Sequence, residues 1–186
     1  MSCDLTKGRL EPCKDKVGGV KALYFVNFGF GVVYDSTNDH VIEDINDGAA
    51  TPGAATVYKY DVKGAVGGDQ NINSSRENGT TFIEQVVTAV LKNATIETHK
   101  EIMIMAYGRP GVIVHTYNGD AFFYGVENGM DVTAGNIPTG QAMGDFAGYN
   151  LTLTGMERLP ANFLEGATLA DPFAGLTTAP TVVEGT

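Results

Sequence analysis

The sequence predicts a mainly β domain with one helix, built as an antiparallel β-barrel or sandwich. Three observations carry this expectation. Glycine is abundant, at 24 of 186 residues, and Val, Ile, Thr, Tyr and Phe recur between the glycines, a composition of strands and turns. Only residues 94–108 combine helical capping with helical periodicity. Residues 112–124, "VIVHTYNGDAFFY", read as a hairpin turning at Asn118-Gly119, the strongest short hairpin signal a sequence offers. The sum is about seven strands, and a closed or nearly closed barrel is a natural way to remove their edges.

Residues 1–21 read as an arm. They hold Gly8, Pro12 and the Gly18-Gly19 pair, with little apolar periodicity. Residues 22–165 form the domain and residues 166–186 an extended tail. "VKALYFVNFG", residues 20–29, is a strand of aromatic and β-branched side chains, continued by "GVVYD" after a glycine bend. Residues 36–55 are a turn-rich connection around "HVIEDI". "TVYKYDVKGAV", residues 56–66, alternates: Val57, Lys59, Asp61 and Lys63 fall on one side, Tyr58, Tyr60 and Val62 on the other. Residues 67–80 read as a long polar loop, a length that goes with function or a partner.

Residues 81–93 fit either a helix face or a strand face. Their β-branched content favours a strand. In the helix at 94–108, Thr95 is the N-cap and Glu97 lies in the first turn. Ile96, Ile102, Met103, Met105 and Ala106 form its apolar side, and Gly108 with Pro110 ends it. The hairpin turn pairs His115 with Phe122 and Val114 with Phe123. Residues 128–149 are a glycine-rich excursion, and residues 149–164 a closing strand with Leu151 and Leu153 on one face.

The hairpin arms are bulky on both faces, unlike a surface hairpin with one face in water. With one helix to spare, a neighbouring copy is expected to cover the second face. Repetition of that contact closes a ring. Phe122 and Tyr124 are the hairpin's candidate contacts, and the tail is expected to lie on an adjacent subunit.

The formal charge is −10, unevenly placed. Residues 1–21 carry five basic and three acidic groups, and the rest carries seven basic and nineteen acidic, a net of −12. Such a surface repels nucleic acid, unless DNA is meant to slide past it. No apolar run is long enough to span a membrane, and the first residues lack a signal core, so the chain is expected to stay where it is made.

Catalytic groupings are not apparent. His40, His99 and His115 are far apart, and the serines lack a nucleophile-elbow context. The aspartates do not follow calcium-loop spacing. Cys3 and Cys13, without a histidine nearby, do not make a zinc site. We therefore expect no enzyme, no cofactor and no metal. The specific polar cluster is Asn73, Ser74, Ser75, Arg76, Glu77 and Asn78. The cluster reads equally as a solvated loop and as one in which Arg76 and Glu77 pair with each other or with another subunit. Arg109, at the helix C-terminus, suits the helix dipole and is a second subunit-contact candidate.

The stretches "INSSRENGTTFIEQVV", "MAYGRPGVIV", "YGVENGMDVTAG" and "GQAMGDFAGYNLTLTGMERLPANFL", with the opening "CDLTKGRLEPCKD", resemble a family of tailed-bacteriophage virion proteins familiar from phages of Bacteroidetes hosts, including crAss-like phages. The resemblance runs over residues 2–164 and leaves the last 22 uncovered. The order of elements is also similar to the tail tube fold shared with tail terminators and the type VI secretion tube. That resemblance implies a small barrel flanked by a helix, with strands of neighbours joined into a continuous inner sheet. It implies hexameric or dodecameric rings, possibly stacked, around a channel for DNA that passes without specific binding. Other tail or connector virion proteins would be partners, and the virion, assembled in the host cytoplasm, the location. Residues 67–80, and secondarily 36–55, would reach the next ring. The alternatives are a capsid decoration or head-fibre protein without a channel, and a carbohydrate- or surface-binding module. The absence of tryptophan and the aromatics set inside apolar strands disfavour the module.

Overall fold

The computed structural model describes residues 7–11 and 13–185. The chain is mainly β with one helix, arranged as two sheets that do not close into a barrel. The larger sheet begins with β1 (Val20–Val26), β2 (Gly31–Tyr34), β3 (Val41–Asn46) and β4 (Thr56–Asp61). The smaller uses β5 (Gly67–Ser75), β6 (Thr80–Lys92), β9 (Asp131–Asn136) and β10 (Gly148–Glu157). Between β6 and β9 come α1 (Ile96–Tyr107), β7 (Gly111–Thr116) and β8 (Ala121–Tyr124). β11 (Asn162–Leu164) and β12 (Thr181–Glu184) complete the larger sheet. The orders are β12-β4-β1-β7-β8-β11-β3-β2 and β5-β6-β10-β9. Most pairs are antiparallel, but β11 with β3 and β12 with β4 are parallel, so the larger sheet is mixed.

The two faces of β1 explain its apolar run. Leu23 and Phe25 enter a core shared with Val87 and Ala89 of β6, Leu151 and Leu153 of β10, and Ile102 and Met105 of α1. Ala22, Tyr24 and Val26 enter a second core on the opposite face, with Ile42 and Ile45 of β3 and Phe173 and Leu176 of the tail. A strand buried on both faces loses polar alternation.

The β7–β8 hairpin alternates between the same two cores. Val112, Val114 and Tyr124 join the first; Ile113, Ala121 and Phe123 join the second. Its second face is therefore covered by β3 and the tail of its own chain. The expectation that a neighbour must cover it does not hold.

The hairpin register also differs from the expected one. Val114 pairs with Phe122 and His115 with Ala121. The loop is longer than Asn-Gly alone. Gly119 N–H donates to Thr116 C=O at 3.2 Å, Thr116 N–H donates to Asp120 C=O at 2.9 Å, and Gly119 has φ +92°. This is a type I turn followed by a left-handed glycine, which shifts every pairing by one residue.

Two other expectations are corrected. Residues 67–75 are strand β5 rather than loop, leaving a turn at 76–79. Within the glycine-rich excursion, residues 131–136 form β9 on the far side of β10. Residues 81–92 are strand, as the β-branched content of this stretch indicates, and Asn93 leaves it at φ +63°.

The tail packs on its own chain. Phe173 meets Tyr24 edge-on at 5.1 Å between ring centroids. Thr177 N–H donates to Glu43 C=O at 3.1 Å, and Thr178 N–H to an Asp44 carboxylate oxygen at 3.0 Å. β12 then pairs in parallel with β4, and Lys59 Nζ donates to Glu184 Oε1 at 2.7 Å.

Candidate assembly interfaces

The outward face of the smaller sheet is mixed, with Glu84, Thr88, Asn150, Thr152 and Thr154 standing among Val86, Val90 and Met156. Side chains at 84, 86, 88, 90 and 92 of β6 and 150, 152, 154 and 156 of β10 point away from the core, because Ile83, Gln85, Val87 and Ala89, and Leu151, Leu153 and Glu157, point into it. On β5 the outward set is Asp69, Asn71 and Asn73; Asn71 Nδ2 reaches Glu84 Oε2 at 3.4 Å across the ladder. On β9, Thr133 Oγ1 lies 2.9 Å from Thr154 Oγ1, and Asn150 Nδ2 donates to Asn136 Oδ1 at 2.9 Å. Asp69, Glu84 and Asp131 put carboxylates on this face, and Lys92 at its end is its one cation among the described residues.

Both margins of this sheet are open. β5 pairs with β6 alone and β9 with β10 alone, so each leaves a row of backbone donors and acceptors without a strand partner. An edge of this length is a template for another strand unless it is blunted.

The six-residue polar cluster sits at the tip of the β5–β6 hairpin. The β6–β10 pairing ends at Ile83, so Asn73, Ser74 and Ser75, paired with Phe82, Thr81 and Thr80, project past the sheet. Ser74 Oγ and Thr81 Oγ1 are 3.0 Å apart, and Asn78 N–H donates to Ser75 Oγ at 3.3 Å. Gly79, at φ +62°, closes the turn. Near the tip Ile72 is 73% exposed, across from Ile83 on the inward side, and Phe82, across from Asn73, is exposed on the outward side, so each face of this polar projection carries one apolar side chain. Arg76 and Glu77 are exposed in the turn, and the ion pairs among the described residues lie elsewhere.

The other predicted contacts separate. Arg109 holds its guanidinium 4.6 Å above the Phe28 ring, a cation–π contact within the chain. Phe122 is half-buried against the exposed Phe163, at 4.5 Å between centroids. Tyr124 is 3% exposed in the first core and presents nothing to a neighbour, so its assignment as a contact is corrected.

On α1, Thr95 caps the helix as expected, its Oγ1 accepting from Thr98 N–H at 3.2 Å. The predicted apolar side is only partly used. Ile102 and Met105 are buried, while Ile96, Met103 and Ala106 are exposed together with Ile104 and Tyr107. The helix meets the core along one narrow line, so its apolar residues lie on both sides of it.

Buried polar groups are structural. Gln85 receives Gly125 N–H on Oε1 at 2.8 Å and donates from Nε2 to Leu159 C=O at 3.2 Å, bridging the two sheets. The Glu157 carboxylate accepts Asn128 N–H at 2.8 Å and Glu127 N–H at 3.3 Å, and burial raises its pKa despite those donors. His115 Nε2 lies 2.9 Å from Thr168 C=O, and burial lowers its pKa. Among the described residues no buried side-chain polar atom lacks a partner, and no group of His, Cys, Asp and Glu could hold a metal. No helix among them is long and apolar enough to cross a membrane.

Sequence reasoning missed the two edge strands. β5 and β9 carry Gly, Asn, Asp and Thr, without an apolar period to mark them. The usable signal was on their partners: β6 and β10 are long and buried on one face, and such strands need neighbours on both sides.

No protein-family model, no curated protein and no solved structure matches this chain.

Proposed function

We propose that this chain is a structural virion protein whose copies form a ring around a DNA channel, in a phage tail or head–tail connector. The observation that carries the reading is the smaller sheet: two open edges flanking one outward, carboxylate-bearing face. Edge-to-edge pairing of β9 of one copy with β5 of the next is heterologous, and a heterologous contact that closes gives a ring. Such a ring joins the small sheets into one continuous wall. The face carrying Asp69, Glu84 and Asp131 then lines the lumen. Carboxylates there repel phosphates, so DNA passes without being held. The sequence resemblance to tailed-phage virion proteins supports the same reading. The open edges, rather than a greasy hairpin, are what call for neighbours.

The projecting hairpin tip, with exposed Ile72 on one face and exposed Phe82 on the other, is suited to reach a second ring. Electron microscopy of the pure protein at high concentration, with mass measurement of the particle, tests the proposal. Annular particles with a central hole are expected. A monomer at every concentration overturns it. A compact trimer without a hole favours a decoration or head-fibre role.

A further inference from the structure

Residues 7–19 leave the body as an arm, and every described residue in that stretch is exposed, Leu10 at 93%. The arm is held at its root, where Tyr117 N–H donates to Gly19 C=O at 3.1 Å. It carries Lys7, Arg9, Lys14 and Lys16 against Glu11 and Asp15, so four positive charges less two negative leave +2. The chain from residue 22 onward carries seven basic and nineteen acidic groups, a net of −12. A basic, apolar-studded segment without cover, on an otherwise acidic molecule, is a segment whose partner is acidic.

The molecule has a cleft with that chemistry. A hollow of about 610 Å³ lies between the start of α1 and the β4–β12 edge. Tyr58, Tyr60 and Leu91 supply half-buried apolar surface. Glu97 and Glu101, one turn apart on α1, stand on one rim. On the other side Lys59 is already neutralised, with Glu184 at 2.7 Å and Asp61 at 3.6 Å, so it does not cancel the α1 carboxylates. Lys92 is the remaining cation among the described lining residues.

We propose that this cleft receives residues 7–19 of a second copy. An extended backbone sends Leu10 to one side and Lys7, Arg9 and Glu11 to the other, where two cations outweigh one carboxylate. Leu10 rests on the tyrosine floor while the two cations meet Glu97 and Glu101 at the rim. The chain's own arm, exposed at every described residue, does not line its own cleft. The inference needs two copies and not a channel, so it stands or falls separately from the ring.

The test is a charge swap in the full-length chain, read by sedimentation, together with a labelled peptide of residues 7–19 titrated onto it and followed by fluorescence anisotropy. Glu97→Lys with Glu101→Lys weakens peptide binding about tenfold, through two lost attractions and two new repulsions. Lys7→Glu with Arg9→Glu weakens self-association of the full chain to a similar degree, and the four substitutions together restore it. Equal peptide binding by wild type and the Glu97→Lys, Glu101→Lys variant overturns the proposal, as does failure of the combined variant to recover. Rings that persist without peptide binding overturn this inference alone. Peptide binding by a chain that forms no rings overturns the channel reading alone.

Discussion

His115 is 1% exposed and bonded through Nε2 to Thr168 in the tail. Burial is the main cause of its lowered pKa; the Thr168 carbonyl and Asp171 act the other way, and Lys21 with the burial. A base with a depressed folded pKa stabilises the fold above its unfolded pKa, near 6.5, and loses that contribution as pH falls through the folded value. Thermal unfolding should therefore show a loss of stability from pH 8 to pH 5 that shrinks in His115→Gln. An unchanged pH dependence in the variant removes this role. Gln85 gives a second residue-scale expectation. Gln85→Ala leaves Gly125 N–H and Leu159 C=O unpaired in the core and opens a cavity, at a cost of about 3 kcal/mol in denaturant unfolding. At this scale the sequence was partly legible. Thr95 could be named as a cap because a cap is local chemistry. Gln85 could not, since its partners lie 40 and 74 residues away.

At the scale of elements, β1, β4, β6, α1, β7 and β8 were legible because apolar periodicity, β-branching or capping marks them. β5 and β9 were not, because an edge strand with one solvated face and few apolar residues reads as loop. The hairpin register was missed for a related reason. "NG" signals a turn but does not fix whether the loop holds two residues or three; the Thr116 N–H to Asp120 C=O bond, with Asn118 outside the left-handed region a two-residue turn would require, settles it. The tip of the β5–β6 hairpin carries a prediction. Deleting Ser74 and Ser75 with Thr80 and Thr81 removes two cross-strand pairs and keeps the side-chain alternation. The melting temperature should stay within a few degrees of wild type, since these residues lie outside both cores. Stacked particles should fall apart into single rings in electron micrographs. Stacks that survive the deletion would remove the tip from the inter-ring contact.

At the scale of the whole molecule, the sequence announced a β domain with one helix, and that is its class. Closure into a barrel was not legible, because it depends on which distant strands meet, and composition is silent about that. The misjudged hairpin shows the same limit. Apolar bulk on both faces was read as demand for another subunit, whereas β3 and the tail meet it, the tail from 50 residues downstream or more. Of the candidate interfaces, the polar hairpin tip at residues 73–78 was the part legible in the sequence. The open-edged sheet and the cleft beside α1 are properties of assembled strands and leave no contiguous trace. If the carboxylate face lines a channel, replacing Asp69, Glu84 and Asp131 by lysine should leave the fold intact, because all three are on the outward face. The variant rings should then retain duplex DNA in a gel-shift assay at low salt, where wild-type rings release it. Equal behaviour of the two would separate that face from the lumen.

The parallel β12–β4 ladder brings the far end of the polypeptide back beside its beginning: Glu184 lies across from Lys59, and Lys59 across from Tyr24 of β1. Only β4 stands between those strands, a gap of about 10 Å. A short flexible linker can therefore weld Glu184 to Val20, with new termini cut between Met143 and Gly144 in an exposed bend. Such a circular permutant should refold with native circular dichroism and would leave the molecule without a free arm.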